Sequence, residues 1–135
     1  ALILAALLMA GCASSPAAVP GDITAEELVQ RAQEASDRYH YRQALQYYEL
    51  VMSRYSYNIE MVCTAEYETA LIYYKQKKYG LAREQFDALL LRYAGADAEL
   101  LPPKFKRLSG IMLENINKKA GPPAPGEAET PANAE

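Results

Sequence analysis

The sequence has no tryptophan, only two phenylalanines and a single histidine. One histidine, His40, cannot be assembled into a Ser/His/Asp or Cys/His catalytic set from the residues around it. A metal site needs several donors at ligand spacing, and none stand near it. The seven glycines form no glycine-rich phosphate loop. Glu66 and Glu68 fall on different faces of a helix, so they are not a working carboxylate pair. The expectation is a protein that is not an enzyme and takes no cofactor and no metal. An excess of base is missing too. Net charge is −3, and Glu127, Glu129 and Glu135 account for all of it, the rest of the chain being balanced. With no basic stripe in the sequence, nucleic acid is not an expected partner. What is abundant instead is tyrosine, eleven in all. Its apolar ring and polar tip suit helix seams and binding surfaces alike.

A long apolar run is also lacking. Residues 1–10 are apolar and uncharged, but a bilayer-spanning helix needs about 20 such residues. The length fits the apolar core of a signal peptide, and the missing initiator Met and basic segment read as truncation at its start. The stretch ends in Met9-Ala10-Gly11-Cys12. It resembles a bacterial lipoprotein signal box, with Met9 where Leu is commoner. The resemblance implies removal of residues 1–11 and acylation (palmitate-type) of Cys12, with several acyl chains giving a stable anchor. An ordinary secretory leader with an incidental Cys, or a buried helix, are the other readings. Ala13 follows the Cys where Asp would favour inner-membrane retention, which leans toward the outer membrane, periplasmic face. Residues 12–23 are expected to be the lipidated Cys and a flexible Ser/Pro/Ala linker. Residues 24–119 are expected to be the folded domain, and residues 120–135 a disordered acidic Pro/Ala tail.

Between these ends the sequence repeats itself. Ala32, Tyr41, Ala44, Tyr48, Val51 and Arg54-Tyr55 recur 38 positions later as Ala70, Tyr79, Ala82, Phe86, Leu89 and Arg92-Tyr93. A period in the thirties marks stacked helix–turn–helix units. Apolar spacing predicts five helices: about Ala25–Arg38, opened by the capping box Thr24-Ala-Glu-Glu27; Tyr41–Tyr55; Ile59–Gln76, with Asn58 as N-cap; Tyr79–Tyr93, with Gly95 as C-cap; and Pro103–Lys118. The fourth is expected to bury Leu81, Ala82, Phe86, Leu89 and Leu90. The fifth is expected to bury Phe105, Leu108, Ile111, Met112 and Ile116, as the start of a third repeat or as a cap. Lys75, Lys77 and Lys78 read as a solvated helix end.

The repeated residues resemble the tetratricopeptide repeat. That family sets a small residue mid-way along helix A, here Ala32 and Ala70, and another near the start of helix B, here Ala44 and Ala82. A large aromatic follows, here Tyr48 and Phe86. Small side chains allow close helix approach, and the aromatic fills the crossing. The resemblance covers about residues 25–118 and implies an all-α fold, antiparallel helix pairs stacked as a short right-handed superhelix. Tyr39 and Lys77 replace the turn glycine, Leu28 and Glu66 the early aromatic, Ser56 and Ala94 the closing proline. The 38-residue spacing exceeds the family norm by four, which an extra turn at Ile59–Val62 would absorb. The Arg-Tyr pairs and the lipid anchor are also similar to BamD-type outer-membrane lipoproteins and Tol-Pal coordinator repeats.

In the repeat family ligands lie on the concave face of the A helices. Those positions are Val29, Gln33, Ser36 and Asp37; Tyr67, Leu71, Tyr74 and Lys75; and Phe105, Ser109 and Met112. Tyr67, Tyr74 and Lys75 would form an aromatic groove with one cation, fit for a peptide, or the tyrosines would pack against helix five. The basic pairs that clamp a carboxylate in chaperone-binding relatives are replaced by Val29/Gln33 and Tyr67/Leu71. Cys63 is expected as a buried thiol or an interchain disulfide. The function these residues imply is a lipid-anchored periplasmic scaffold holding envelope proteins or peptides. A small-ligand-binding accessory lipoprotein, or a subunit that self-assembles through its open repeat ends, are the alternatives.

Overall fold

The computed structural model describes residues 18–123, and within them the chain is all-α. The expected leader, Cys12 and the glutamates Glu127, Glu129 and Glu135 lie outside the described residues. Five helices follow one another: α1 (Ala25–Asp37), α2 (Tyr41–Arg54), α3 (Ile59–Lys75), α4 (Tyr79–Arg92) and α5 (Pro103–Ala120). A short 3-10 turn, Ala98–Leu100, precedes α5; nothing in the apolar spacing announced it.

Local chemistry sets the helix starts. Thr24 and Glu27 form the reciprocal capping box, each side chain accepting the other's backbone N–H at 3.1 Å. The Asn58 side chain accepts the amide of Met61 at 3.2 Å. Pro103 opens α5, where its missing N–H costs nothing.

The ends of α1 and α3 are matched. Tyr39 and Lys77 have φ of 61° and 60°. The His40 amide reaches back to the Ala35 carbonyl and the Lys78 amide to that of Tyr73, at 2.8 and 2.9 Å. These are Schellman caps with a left-handed residue, the positions where the repeat family sets glycine. Gly95 does not cap α4 in this way. The helix runs through Tyr93 in a right-handed conformation into turns, with the Gly95 amide on the Arg92 carbonyl at 3.1 Å.

The pairs α1/α2 and α3/α4 are antiparallel and stack in the tetratricopeptide-like order, with α5 laid against α4 and α3. Helix α3 has 17 residues where α1 has 13, and both end at the same place in the repeat. The four extra residues therefore sit at the start of α3, as the 38-residue spacing requires.

Ala32, Ala44, Ala70 and Ala82 are all completely buried, as are Tyr48 and Phe86. Small against large lets each crossing close without a void. One core lies between α1, α2 and α3 and includes Leu28, Tyr48, Val51, Ala65 and Ile72. The other side of α3 joins two smaller clusters, Cys63 with Leu89, Leu101 and Phe105, and Ala70 with Ala82, Phe86 and Ile116. Helix α3 is thus common to both repeats. Leu81 and Ile111, expected inside, are exposed.

The linker also differs from expectation at its end. Ile23 is buried and Val19 packs on the first core. The Tyr55 hydroxyl donates to the Ile23 carbonyl, and Arg54 reaches the Pro20 carbonyl at 3.5 Å. The segment just before α1 is therefore docked, because apolar Val19 and Ile23 find a ready cover against α2. The second Arg-Tyr pair works differently. Tyr93 donates to the Pro102 carbonyl at 2.6 Å, fixing the start of α5, while Arg92 pairs with Glu66.

Candidate functional site: the groove over helix α3

Three faces of α3 can be told apart. Two are sealed in the cores. The third carries Glu60, Thr64, Tyr67, Glu68, Leu71, Tyr74 and Lys75, spaced three and four apart. None of these seven is fully buried. Helices α1 and α5 flank this row, since both pack against α3. Two polar contacts close its corners. Lys104 of α5 meets Glu60 at 3.1 Å at one end, and Lys75 donates to Ser36 of α1 at 3.3 Å at the other.

At the second end lies a cleft of about 350 Å³, lined by Ser36, Asp37, Tyr39, Tyr41 and Lys75. The turn after α1 builds it. The left-handed Tyr39 reverses the chain and sets its ring edge-on to Tyr41, centroids 6.1 Å apart. Asp37 and Lys75, taken from sequence as groove residues, meet here. Behind them Glu68 is pushed above the usual carboxylate range by burial, with Lys75 opposing and the Asp37 charge adding to the rise. Tyr48 is pushed far up, first by burial and then by Glu68 and Asp37. Its hydroxyl has no hydrogen-bond partner among the described residues. Two carboxylates, a neutral phenol and one ammonium thus share this corner.

The other expected groove residues divide. Gln33 is exposed on α1 and Leu71 partly buried at the middle of the row. Tyr67 lies between Phe86 and Phe105, with centroids 5.6 and 5.5 Å away. Tyr74 packs on Tyr79 of α4, at 5.6 Å. Both rings belong mainly to the seam, and only Tyr67 packs on helix five through a ring contact. Phe105, Val29 and Ser109 are buried, and Met112 is partly covered against the Phe86 cluster. These four cannot offer an open apolar floor, because Val29 is taken into the first core and the three residues of α5 are turned into the packing of α5 against α3 and α4. Glu60, Thr64, Glu68, Tyr39 and Tyr41 were missed. Glu68 was within reach, since it sits three before Leu71 and seven before Lys75 on the same stripe. Tyr39 was not, because its place in the wall depends on the backbone turn.

Cys63 is fully buried and unpaired. Burial raises its thiol pKa, with Arg92 opposing. Among the described residues no three His, Cys, Asp or Glu side chains gather to hold a metal ion, and no helix is long and apolar enough to cross a membrane.

The chain is similar to an uncharacterized protein of Treponema pallidum (strain Nichols), with 34% identity over 116 residues. That match takes in 84% of this chain and 46% of the relative, so the chain spans about half the length of that protein. No family model matches the chain, and no solved structure does.

Proposed function

We propose that the chain is a lipid-anchored scaffold of the cell envelope, a tetratricopeptide-type module that holds a segment of another envelope protein along α3. The observation that carries this is the third face of α3: a row of partly covered side chains flanked by two helices and ending in an open, polar-walled cleft. A preformed helical groove binds an extended segment at little ordering cost. Leu71 supplies the apolar centre, and Asp37, Lys75 and Ser36 receive a polar side chain. Tyr39, 78% exposed at the mouth, leaves the cleft open rather than enclosed, which supports a protein segment over a small metabolite. The lipid anchor rests on the sequence Met9-Ala10-Gly11-Cys12, and the outer membrane is its proposed site.

A photo-crosslinking amino acid at position 71, compared with one at Leu81 on the outer side of α4, tests the groove in intact envelopes. Adducts from position 71 and none from position 81 support it. Equal yields from the two positions remove the groove as the binding face. Separately, Cys12→Ala releases the protein from the membrane fraction under a high-salt wash that strips charge-held proteins; retention under that wash overturns the anchor.

A further inference from the structure

The balanced charge of the helical domain hides an asymmetry that only the fold reveals. Helices α1, α3 and α5 run one way, and α2 and α4 the other. Lys75 meets Ser36 where α3 and α1 end, Arg83 near the start of α4 bonds Asn117 and Gly121 at the end of α5, and Lys104 at the start of α5 meets Glu60 at the start of α3. One end of the domain therefore gathers the α1–α2 turn, the α3–α4 turn and the end of α5. It holds Arg38, Arg42, Lys75, Lys77, Lys78, Arg83, Lys118 and Lys119 against Glu34, Asp37 and Glu68. The opposite end holds Asp22, Glu26, Glu27, Glu60, Glu66, Asp97 and Glu99 against Arg54, Arg92, Lys104, Lys106 and Arg107.

Helix dipoles favour part of this charge, since Lys75, Lys118 and Lys119 stand in the last turns of α3 and α5, but they do not offset the excess. Three helix C-termini and two N-termini meet at the basic end, each worth roughly half a charge of opposite sign, so they nearly cancel. The end keeps an excess of about five positive charges after Glu34, Asp37 and Glu68 are subtracted from its eight cations. Arg38 is paired with Glu34 at 3.6 Å and Lys75 with Ser36. Lys77, Lys78, Lys118 and Lys119 are exposed and have no partner among the described residues.

We infer that this basic end docks on a bilayer surface carrying anionic phospholipid. Four features favour a membrane over a protein acid cluster. The free cations are lysines, compact point charges rather than the planar forks that grip single carboxylates. They stand as two pairs, one on the α3–α4 turn and one in the last turn of α5, about one interhelical spacing apart, on the order of 10 Å, and so spread over a face rather than converge on a point. Tyr39 projects from the same end at 78% exposure, an amphipathic ring of the kind that sits at headgroup level. Clusters of four to eight Lys or Arg are the size that reads an anionic leaflet. The inference does not rest on the groove or on the acyl group.

The test uses the full chain with Cys12→Ser, so that no acyl chain contributes. Its binding to phosphatidylcholine vesicles is compared with binding to vesicles that also contain phosphatidylglycerol. The uncharged leader adds equally to both. The phosphatidylglycerol-dependent increase should be lost by a factor on the order of a thousand when Lys77, Lys78, Lys118 and Lys119 are all changed to Glu. It should fall at raised salt. The same four changed to Gln give a smaller loss, and the fold of each variant is checked by circular dichroism. Lys106→Glu with Arg107→Glu, at the far end, leaves the increase nearly intact. The inference is overturned if phosphatidylglycerol adds nothing, or if the far-end pair costs as much as the four lysines. It is overturned too if polyglutamate is bound while the anionic vesicles are not, which would assign the end to an acidic protein.

Discussion

Tyr39 and Lys77, 38 residues apart, adopt the same left-handed backbone conformation, with φ of 61° and 60°. Neither is a glycine, so each carries the steric cost of a Cβ against its own carbonyl, about 1 kcal/mol. Lys77→Gly should therefore raise stability by about 1 kcal/mol, a Tm gain of roughly 4–8 °C in a domain of this size. Tyr39→Gly should gain less, because the ring contact with Tyr41 is lost with it. Thermal unfolding of the two variants side by side checks both values.

Tyr48 and Phe86 fill the same place in their repeats, yet Tyr48 buries a hydroxyl that has no partner among the described residues. Tyr48→Phe should stabilise by about 1 kcal/mol, since an unpaired buried donor costs its desolvation. The reverse change, Phe86→Tyr, should cost about 1–3 kcal/mol. Phe86→Ala should cost more, about 3–5 kcal/mol, through the cavity it leaves. Urea titrations order the three variants.

Glu68 has its pKa raised by burial in the fold. The folded protein then holds a proton there that the unfolded chain has already released. Stability must fall as pH rises from the ordinary carboxylate pKa through the raised one. Glu68→Gln removes this slope and raises Tm at neutral pH while leaving it almost unchanged in acid. A Tm series across that window reads the difference, and parallel curves for the two proteins would contradict it.

The two Arg-Tyr pairs close equivalent helices but hold different things. Tyr55→Phe frees the Ile23 carbonyl and should speed amide exchange in the first turn of α1. Tyr93→Phe frees the Pro102 carbonyl and should do the same for the first turn of α5. Each loss is worth about 1 kcal/mol, the net value of one hydrogen bond. Neither variant should alter the other's helix.

Cys63 is sealed beneath Leu89 and Phe105 and its thiol pKa is raised. In a Cys12→Ser background it should resist alkylation in the native state and react fully once denatured. A fast native reaction would show that the second core is open.

The fold was legible in the sequence because the residues that repeat are those that pack. Ala32, Ala44, Tyr48 and their counterparts sit at helical spacing and are completely buried. Helix ends were legible where a side chain makes the cap, as at Thr24, Asn58 and Pro103. They were misread at Gly95, where a glycine marked a cap that the backbone did not take. The site was harder. Asp37 and Lys75 were found because repeat positions point to them. Phe105 and Ser109 share those positions but are covered, since how closely α5 settles on α3 depends on packing between distant segments. The basic end could not be seen at all, because its lysines lie far apart in the chain and only the antiparallel course of the helices brings them together.

Helix α3 packs into two cores and lines the groove with what is left. Of its 17 residues only Glu60 and Lys75 are exposed. It therefore has almost no neutral surface on which sequence can drift. A change on α1 or α5 can be absorbed at the solvent side, but nearly any change on α3 must be matched by a neighbour in one repeat or the other. Within a lineage of such chains, α3 is the segment whose sequence should alter most slowly, and where alterations should come in compensated pairs.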